Sequence, residues 1–112
     1  MTIGSVQDVK PHPRMAVYAV TKSALANLVV NLAAQYSKFG ITFNNIAPGV
    51  ICTDRNREAL EDAAYVEKLY DLIPSRRFAQ PEECAGMVRL LCSNEGQYIT
   101  GESIYIDGGK HL

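Results

Sequence analysis

Residues 15 to 49 read "MAVYAVTKSALANLVVNLAAQYSKFGITFNNIAPG", and the change of rhythm inside that stretch decides the fold. Ala24, Leu25, Leu28, Val29, Leu32, Ala33 and Tyr36 recur at three- and four-residue steps, the spacing of one helix face. Gly40 then offers a stop, so the pattern predicts a helix from Met15 to Phe39. "ITFNNI", residues 41–46, follows as a short strand closed by Pro48-Gly49. A long helix running directly into a strand is half of a crossover connection.

Working outward, a strand precedes this stretch, and helices and a last strand follow it. Met1 to Ser5 read as the tail of a strand, and "QDVKPHPR" is a loop broken by two prolines. Residues 54–72 predict one or two amphipathic helices with Leu60, Ala64, Leu69 and Leu72 on the apolar face, ended by Pro74. Pro81 stands where a helix favours its first residue, with Glu82 and Glu83 in the first turn. "SIYID", residues 103–107, is a last strand before Gly108-Gly109. Strands over 2–5, 41–46 and 103–107, joined by helix-length crossovers, predict an α/β fold with a parallel sheet packed by helices.

Bulk properties narrow the function. The 112 residues make one domain's worth of chain, 47% hydrophobic and 21% charged, with a net charge of -1. No basic stripe marks a nucleic-acid or membrane-surface binder. No apolar run reaches the roughly 20 residues that span a bilayer, and "MTIGSVQDVK" has none of the character of a signal peptide. Cys52, Cys84 and Cys92 are odd in number and far apart, so neither a disulfide framework nor a metal site is expected, and a cytoplasmic setting fits.

"YAVTK" places Tyr18 and Lys22 four residues apart, on one face of the expected helix. A free phenol titrates at about pH 10, too high for a base at neutrality, and a fixed ammonium nearby favours the phenolate. Such a tyrosine can give a proton to a carbonyl oxygen or take one from an alcohol. Ser5 adds a hydroxyl at the carboxyl end of a strand, where α/β sheets gather reactive groups. Each feature alone is common.

Their conjunction is not. "GS" at Gly4-Ser5, "YAVTKSAL", "NNIAPGVICT" and "RFAQPEECAGMVRLLCSNEGQYITGESIYIDGG", in that order, closely resemble the short-chain dehydrogenase/reductase family over essentially the whole chain. The resemblance implies NAD(P)-dependent interconversion of a secondary alcohol and a ketone. Ser5 would polarise the substrate oxygen, Tyr18 would be the general acid/base, and Lys22 would hold the ribose hydroxyls of NAD or NADP. Pro48 and Gly49 would shape the wall beside the nicotinamide, while the Ile51 backbone and the Thr53 hydroxyl would hold its carboxamide. Asn45 would be structural. Arg77 matches the family's arginine before the "PEE" helix, with Ala79 where many relatives have glycine. Tyr98, Gly101, Asp107 and Gly108 read as packing and turn residues, and Cys52 would stand next to the cofactor. Full-length relatives commonly assemble as dimers or tetramers. Substrates of similar members include 3-oxoacyl thioesters, sugars, polyols and other secondary alcohols, with the charged segment 54–78 leaning slightly towards a sugar or polyol.

The resemblance also implies what should stand upstream. None of the glycines at 4, 40, 49, 86, 96, 101, 108 and 109 forms the glycine-rich turn that cradles a dinucleotide pyrophosphate. The expectation is therefore the C-terminal, catalytic half of a Rossmann-like doubly wound sheet, about three parallel strands with flanking helices, inactive and poorly folded or self-associated by itself. The alternative is a non-catalytic interaction module or decayed fragment that associates with full-length relatives.

Overall fold

The computed structural model describes residues 1–112. Strand β1 (Thr2–Ile3) leads through a 3-10 turn at Val6–Asp8 into helix α1 (Ala16–Tyr36), and strand β2 (Asn45–Pro48) follows. Helices α2 (Arg57–Glu61), α3 (Ala63–Asp71) and α4 (Pro81–Leu91) then precede strand β3 (Ser103–Ile106). The three strands are parallel in the order β1-β2-β3, with Thr2 opposite Asn45 and Asn45 opposite Ser103. Helix α1 ends as its sequence suggests, with Gly40 at φ 77° after a 3-10 turn. Pro81 occupies the start of α4, and Asp62 separates α2 from α3 by capping Ala64 N and Tyr65 N with its carboxylate.

The sheet is stitched by one side chain. Asn45, fully buried, accepts a hydrogen bond from Thr2 Oγ1 at 2.8 Å and donates from Nδ2 to Ser103 Oγ at 3.1 Å. Gly4 leaves it the room: a Cβ there would lie 2.5 Å from Asn45 Nδ2. Its neighbour Asn44 donates to Ile99 O at 2.7 Å and accepts from Glu102 N at 3.2 Å, fixing the turn that feeds β3. The structural role expected of Asn45 is the one it has.

Several boundaries differ from the sequence reading. The expected strands 2–5, 41–46 and 103–107 are Thr2–Ile3, Asn45–Pro48 and Ser103–Ile106. Ser5 leaves β1 because its hydroxyl starts the following turn, and Asp107 leaves β3 because its carboxylate caps Gly109 N and His111 N. Phe43 is held by the Thr100 hydroxyl and by Gly101 N instead of by a strand ladder. Pro48 stays inside β2 because its ring nitrogen faces the side where β1 has already ended, while Gly49 N bonds Ile106 O on the other side. Ile73, not Leu72, is buried at the end of α3, and Tyr98 is fully exposed and packs on nothing. Ala79 has no positive φ, so its replacement of glycine is harmless.

Only 15 of 112 residues are buried, and the apolar ones among them are Val6, Val29, Ala33, Ile46, Ala47, Leu69, Ile73 and Leu91. That is a thin core for the chain's length. On α1, Val29 and Ala33 face the sheet, whereas Val17, Val20, Leu28 and Val30 are exposed. Residues 23 to 37 carry no charge. An 18-residue window within Ala16–Phe39 has a mean hydropathy of 1.3, so by length and composition this span is long and apolar enough to cross a membrane. This corrects the expectation that no segment reaches that length. In the structure the helix lies against the sheet through Val29 and Ala33.

Before α4, Arg77 makes two hydrogen bonds to the Glu83 carboxylate at 2.9 and 2.6 Å, and Glu83 also accepts from Gln80 N. The Arg77 guanidinium holds the Glu83 carboxyl down to about 2, well below the ordinary carboxylate value. Arg76 adopts the left-handed φ of 49°, held by its N–H to Ile73 O and by an exposed ion pair to Asp71.

Three outcomes are expected. Thermal melts of the chain will be broad or will shift with protein concentration, whereas a sharp, concentration-independent monomer melt would contradict the thin-core argument. Arg76→Gly will raise stability at fixed concentration by about 1 kcal/mol, because relief of left-handed strain outweighs an exposed ion pair. Glu83→Gln will lower stability at neutral pH. A carboxyl held below its unfolded value contributes above that value and loses the contribution on acidification. The gap between Glu83→Gln and wild type in denaturant titrations should therefore close between pH 4.5 and about 2.

Candidate functional site

Parallel strands send their carboxyl ends to one side of the sheet, and the chain segments that emerge there build the site. Ser5 follows β1, Pro48 to Thr53 lead out of β2, and Asp107 follows β3. Helix α1 adds Tyr18 and Lys22 one turn apart, with Lys22 Nζ 5.5 Å from the centre of the Tyr18 ring. The same ammonium donates to Ile3 O at 2.8 Å. Lys22 therefore ties the tyrosine-bearing face of α1 to the end of β1, two residues before Ser5.

Ser5 is buried, and its hydroxyl accepts from Gln7 N at 3.2 Å. No hydrogen bond joins it to the Tyr18 phenol. The turn that it starts is held against α1 by Ser23, whose hydroxyl donates to Asp8 O at 3.1 Å. Serine, tyrosine and lysine thus share one corner of the fold, with the lysine engaged on backbone.

The loop after β2 is shaped by a two-sided constraint. Cys52 N donates to Ala79 O at 2.9 Å and Ala79 N donates to Val50 O at 3.1 Å, a parallel bridge centred on Ile51 and Ala79. Backbone alternation turns the N–H and carbonyl of Ile51 the other way. Its carbonyl accepts from Asn56 Nδ2 at 2.8 Å, which leaves the N–H as a donor aimed away from the bridge. Thr53 is exposed at the head of the 3-10 turn Asp54–Asn56, and its hydroxyl makes no capping bond there. Gly49 is required by close approach, since a Cβ would lie 2.7 Å from Asp107 Cα. Cys52, half-buried, lines an open groove with Thr53, Arg57 and Pro81. An ammonium, an outward backbone N–H and a free hydroxyl are the donors that ribose hydroxyls and a carboxamide require, so these residues fit a nicotinamide dinucleotide.

Sequence reasoning missed a second set of residues around this corner. Tyr105 OH donates to Asp8 Oδ1 at 3.2 Å, and the Tyr105 ring stacks on His111 with centroids 4.5 Å apart. His111 Nδ1 lies 2.9 Å from Asp107 Oδ2, and Lys10 bonds the Leu112 carbonyl. Burial raises Asp8 above the usual carboxylate range, against the lowering effect of its Tyr105 hydrogen bond. Burial, reinforced by the Asp8 charge, also pushes the Tyr105 phenol up. The chain's last turn is thereby fastened to the segment that carries Ser5. Tyr105 and Asp8 are 97 residues apart, and no local pattern announces such a pair.

Comparison with known proteins bears on the family and the fold. A family model described as enoyl-(acyl carrier protein) reductase matches residues 1–111. Dehydrogenase/reductase SDR family member 4 of Bos taurus is 38% identical over 108 residues, which cover 96% of this chain and 39% of that protein. A tropinone reductase homolog of Arabidopsis thaliana is 42% identical over 94 residues, 84% of this chain and 36% of that one. Among solved structures, a gluconate 5-dehydrogenase from Burkholderia cenocepacia in complex with NADP and tartrate superposes with a TM-score of 0.90 at 34% identity, over 96% of this chain and 42% of that chain. A 4-hydroxyisoleucine dehydrogenase complexed with NADH gives 0.93 at 30% identity, over 96% and 44%. The chain spans about two-fifths of the length of the relatives it matches. With its three-stranded parallel sheet, flanking helices and matched residues 1–111, the chain belongs to the short-chain dehydrogenase/reductase family.

Proposed function

We propose that these residues are the catalytic half of an NAD(P)-dependent oxidoreductase that interconverts a secondary alcohol and a ketone. The observation that carries the reading is the meeting of Tyr18 and Lys22 on one helix face at the end of β1, beside Ser5. Tyr18 gives its phenolic proton to a carbonyl oxygen in the reducing direction and takes one from the alcohol in the other. Lys22 places a positive charge 5.5 Å from that ring and offers its remaining N–H donors to ribose hydroxyls. Ser5 donates to the substrate oxygen, its position fixed by the turn that its own hydroxyl begins. Ile51 N–H and the Thr53 hydroxyl would hold the carboxamide, and Pro48 and Gly49 the wall beside it. The nicotinamide, when bound, supplies or accepts the hydride. NAD and NADP both suit these residues.

The glycine-rich pyrophosphate turn has no counterpart among the eight glycines of this chain, so this half depends on a dinucleotide-binding half for cofactor. The substrate is a small carbonyl or alcohol compound, and a sugar or polyol suits the charged residues that follow β2. A second reading is favoured by the uncharged outer face of α1: Val17, Val20 and Leu28 would serve an interaction module that pairs with a family member without catalysis.

The test is a chimera carrying residues 1–112 in place of the matched part of the bovine relative, assayed for NADH- or NADPH-linked turnover of secondary alcohols and ketones. The chimera should turn over, and Tyr18→Phe should lower kcat by about 10²–10⁴-fold, the usual contribution of a general acid/base, while cofactor still binds. The chain by itself should show no saturable turnover. A chimera that binds cofactor and reacts equally well with phenylalanine at position 18 would refute the assignment.

A further inference from the structure

The short turn that begins at Ser5 is gripped from two directions at its far end. Ser23 of α1 donates its hydroxyl to Asp8 O at 3.1 Å, and Tyr105 of β3 donates its hydroxyl to Asp8 Oδ1 at 3.2 Å. Backbone and side chain of one residue are thus tied to two elements, the helix that carries Tyr18 and Lys22 and the last strand. Inside the turn, Asp8 N donates to Ser5 O at 3.0 Å and Gln7 N donates to Ser5 Oγ at 3.2 Å. Those internal bonds leave one group unsatisfied, because Gln7 Oε1 is buried and has no donor. A buried acceptor in that state favours any rearrangement that brings it to water. The bonds at Asp8 oppose such a rearrangement. The tyrosine that makes one of them is itself braced, its ring stacked on His111, whose Nδ1 lies 2.9 Å from Asp107 Oδ2.

We infer that Tyr105 and Asp8 are positioning residues for Ser5: their hydrogen bond fixes the far end of the turn, and the turn fixes the serine hydroxyl against the substrate oxygen. The inference rests on the role proposed for Ser5. Charge argues that the pair is kept for this purpose and not for stability. Burial first of all holds Asp8 above the usual carboxylate range. The groups around it supply no cation in compensation. Tyr105 is a neutral donor, Glu102 lines the same groove with a second carboxylate, and α1 presents only uncharged residues there, Ser23 and Asn27 among them. Behind Tyr105 stand Asp107 and His111, and Lys10 is engaged on the Leu112 carbonyl. A carboxyl whose folded value lies above its unfolded one detracts from stability once the pH exceeds both. The same ionisation strengthens the bond from Tyr105, since a charged acceptor binds a hydroxyl more tightly than a neutral one. Asp8 therefore weakens the fold at neutral pH while it tightens the turn that carries Ser5.

The probes are the full 112-residue chain labelled for NMR and the chimera described above. Tyr105→Phe leaves the ring to stack on His111 and removes only the donor. In the chain it should speed exchange of the Gln7 amide, whose proton is bound to Ser5 Oγ, about tenfold, with the amides of β2 unchanged. In the chimera it should lower kcat about tenfold at unchanged KM, as a misplaced transition-state contact does. Made on top of Ser5→Ala, it should lower kcat no further, because its effect passes through that hydroxyl. Asp8→Asn keeps an acceptor without the charge. It should also lower kcat, yet its stability relative to wild type should rise with pH across the carboxylate range. Unchanged exchange at Gln7, unchanged kcat in an active chimera, a full further loss on top of Ser5→Ala, or a relative stability of Asp8→Asn that falls as pH rises would each overturn the inference. The exchange and stability readouts need neither cofactor nor turnover. A chimera without turnover whose Gln7 amide still loosens in Tyr105→Phe therefore counts against the oxidoreductase reading alone. An active chimera in which Tyr105→Phe alters neither exchange nor kcat counts against this inference alone.

Discussion

The architecture turns on a buried amide reaching both ways across a sheet. Asn45 has a neighbour on each side, and its side chain bonds a hydroxyl on both, Thr2 on β1 and Ser103 on β3. A buried carboxamide without partners is costly, so the side chain is stable only where both flanking strands present hydroxyls at the same level. That condition fixes the register of three strands at one point. It also explains Gly4, because a side chain at that position would occupy the volume of the amide. With the register fixed, Ser5 and the loop after Pro48 leave the sheet at matched heights, which is what a site assembled from two different strands needs.

The rest of the unit is less well supported. A core of eight buried apolar residues must balance the ordering of 112, and conformational entropy costs about 1–2 kcal/mol per residue of backbone. Helix α1 shows where the missing burial belongs. Its inner stripe closes on the sheet at Val29 and Ala33, but its outer face, uncharged from residue 23 to 37, also leaves Leu28 and Val30 exposed. Large apolar side chains left exposed on an uncharged helix face mark a surface suited to being covered. The open edge of β1 and the outer face of α1 are separate surfaces, and relatives more than twice as long have the chain to cover both.

What the sequence disclosed follows from the range of each interaction. The 3.6-residue pattern of α1, its glycine stop and the proline that opens α4 are local signals, and their elements stand where they were expected. The pairing of Tyr18 with Lys22 is also local, one helical turn, and it too was legible. Strand ends were misplaced by up to four residues because a strand's limits are set by its partners. Pro48 reads as a terminator, yet its missing N–H falls on the side where β1 has already stopped. Leu72 and Ile73 are equally apolar, and only the turn after α3 decides which is buried. Tyr98 shares a segment with the packed Gly101, but its ring points to solvent. The fastening of Tyr105 to Asp8 was invisible, since a tyrosine in a strand and an aspartate in a turn carry no mark of each other.

Two kinds of support hold the site, and they differ in what can disturb them. Tyr18 and Lys22 are placed by a 21-residue helix, so their mutual geometry survives changes elsewhere in the fold. Ile51 and Thr53 are placed by a loop whose shape depends on Ala79, thirty residues downstream by count from Gly49, and on the side chain of Asn56. Lys22 belongs to both regimes, because its ammonium is anchored to β1 and not to the helix that carries it. A rigid helix does not bend its backbone to suit one side chain, so the adjustable part of the Tyr18–Lys22 pair is the lysine's four-carbon stem. Lys22 reaches the Ile3 carbonyl only through that stem, so the position of its ammonium over the Tyr18 ring answers to the end of β1 more directly than to the helix axis.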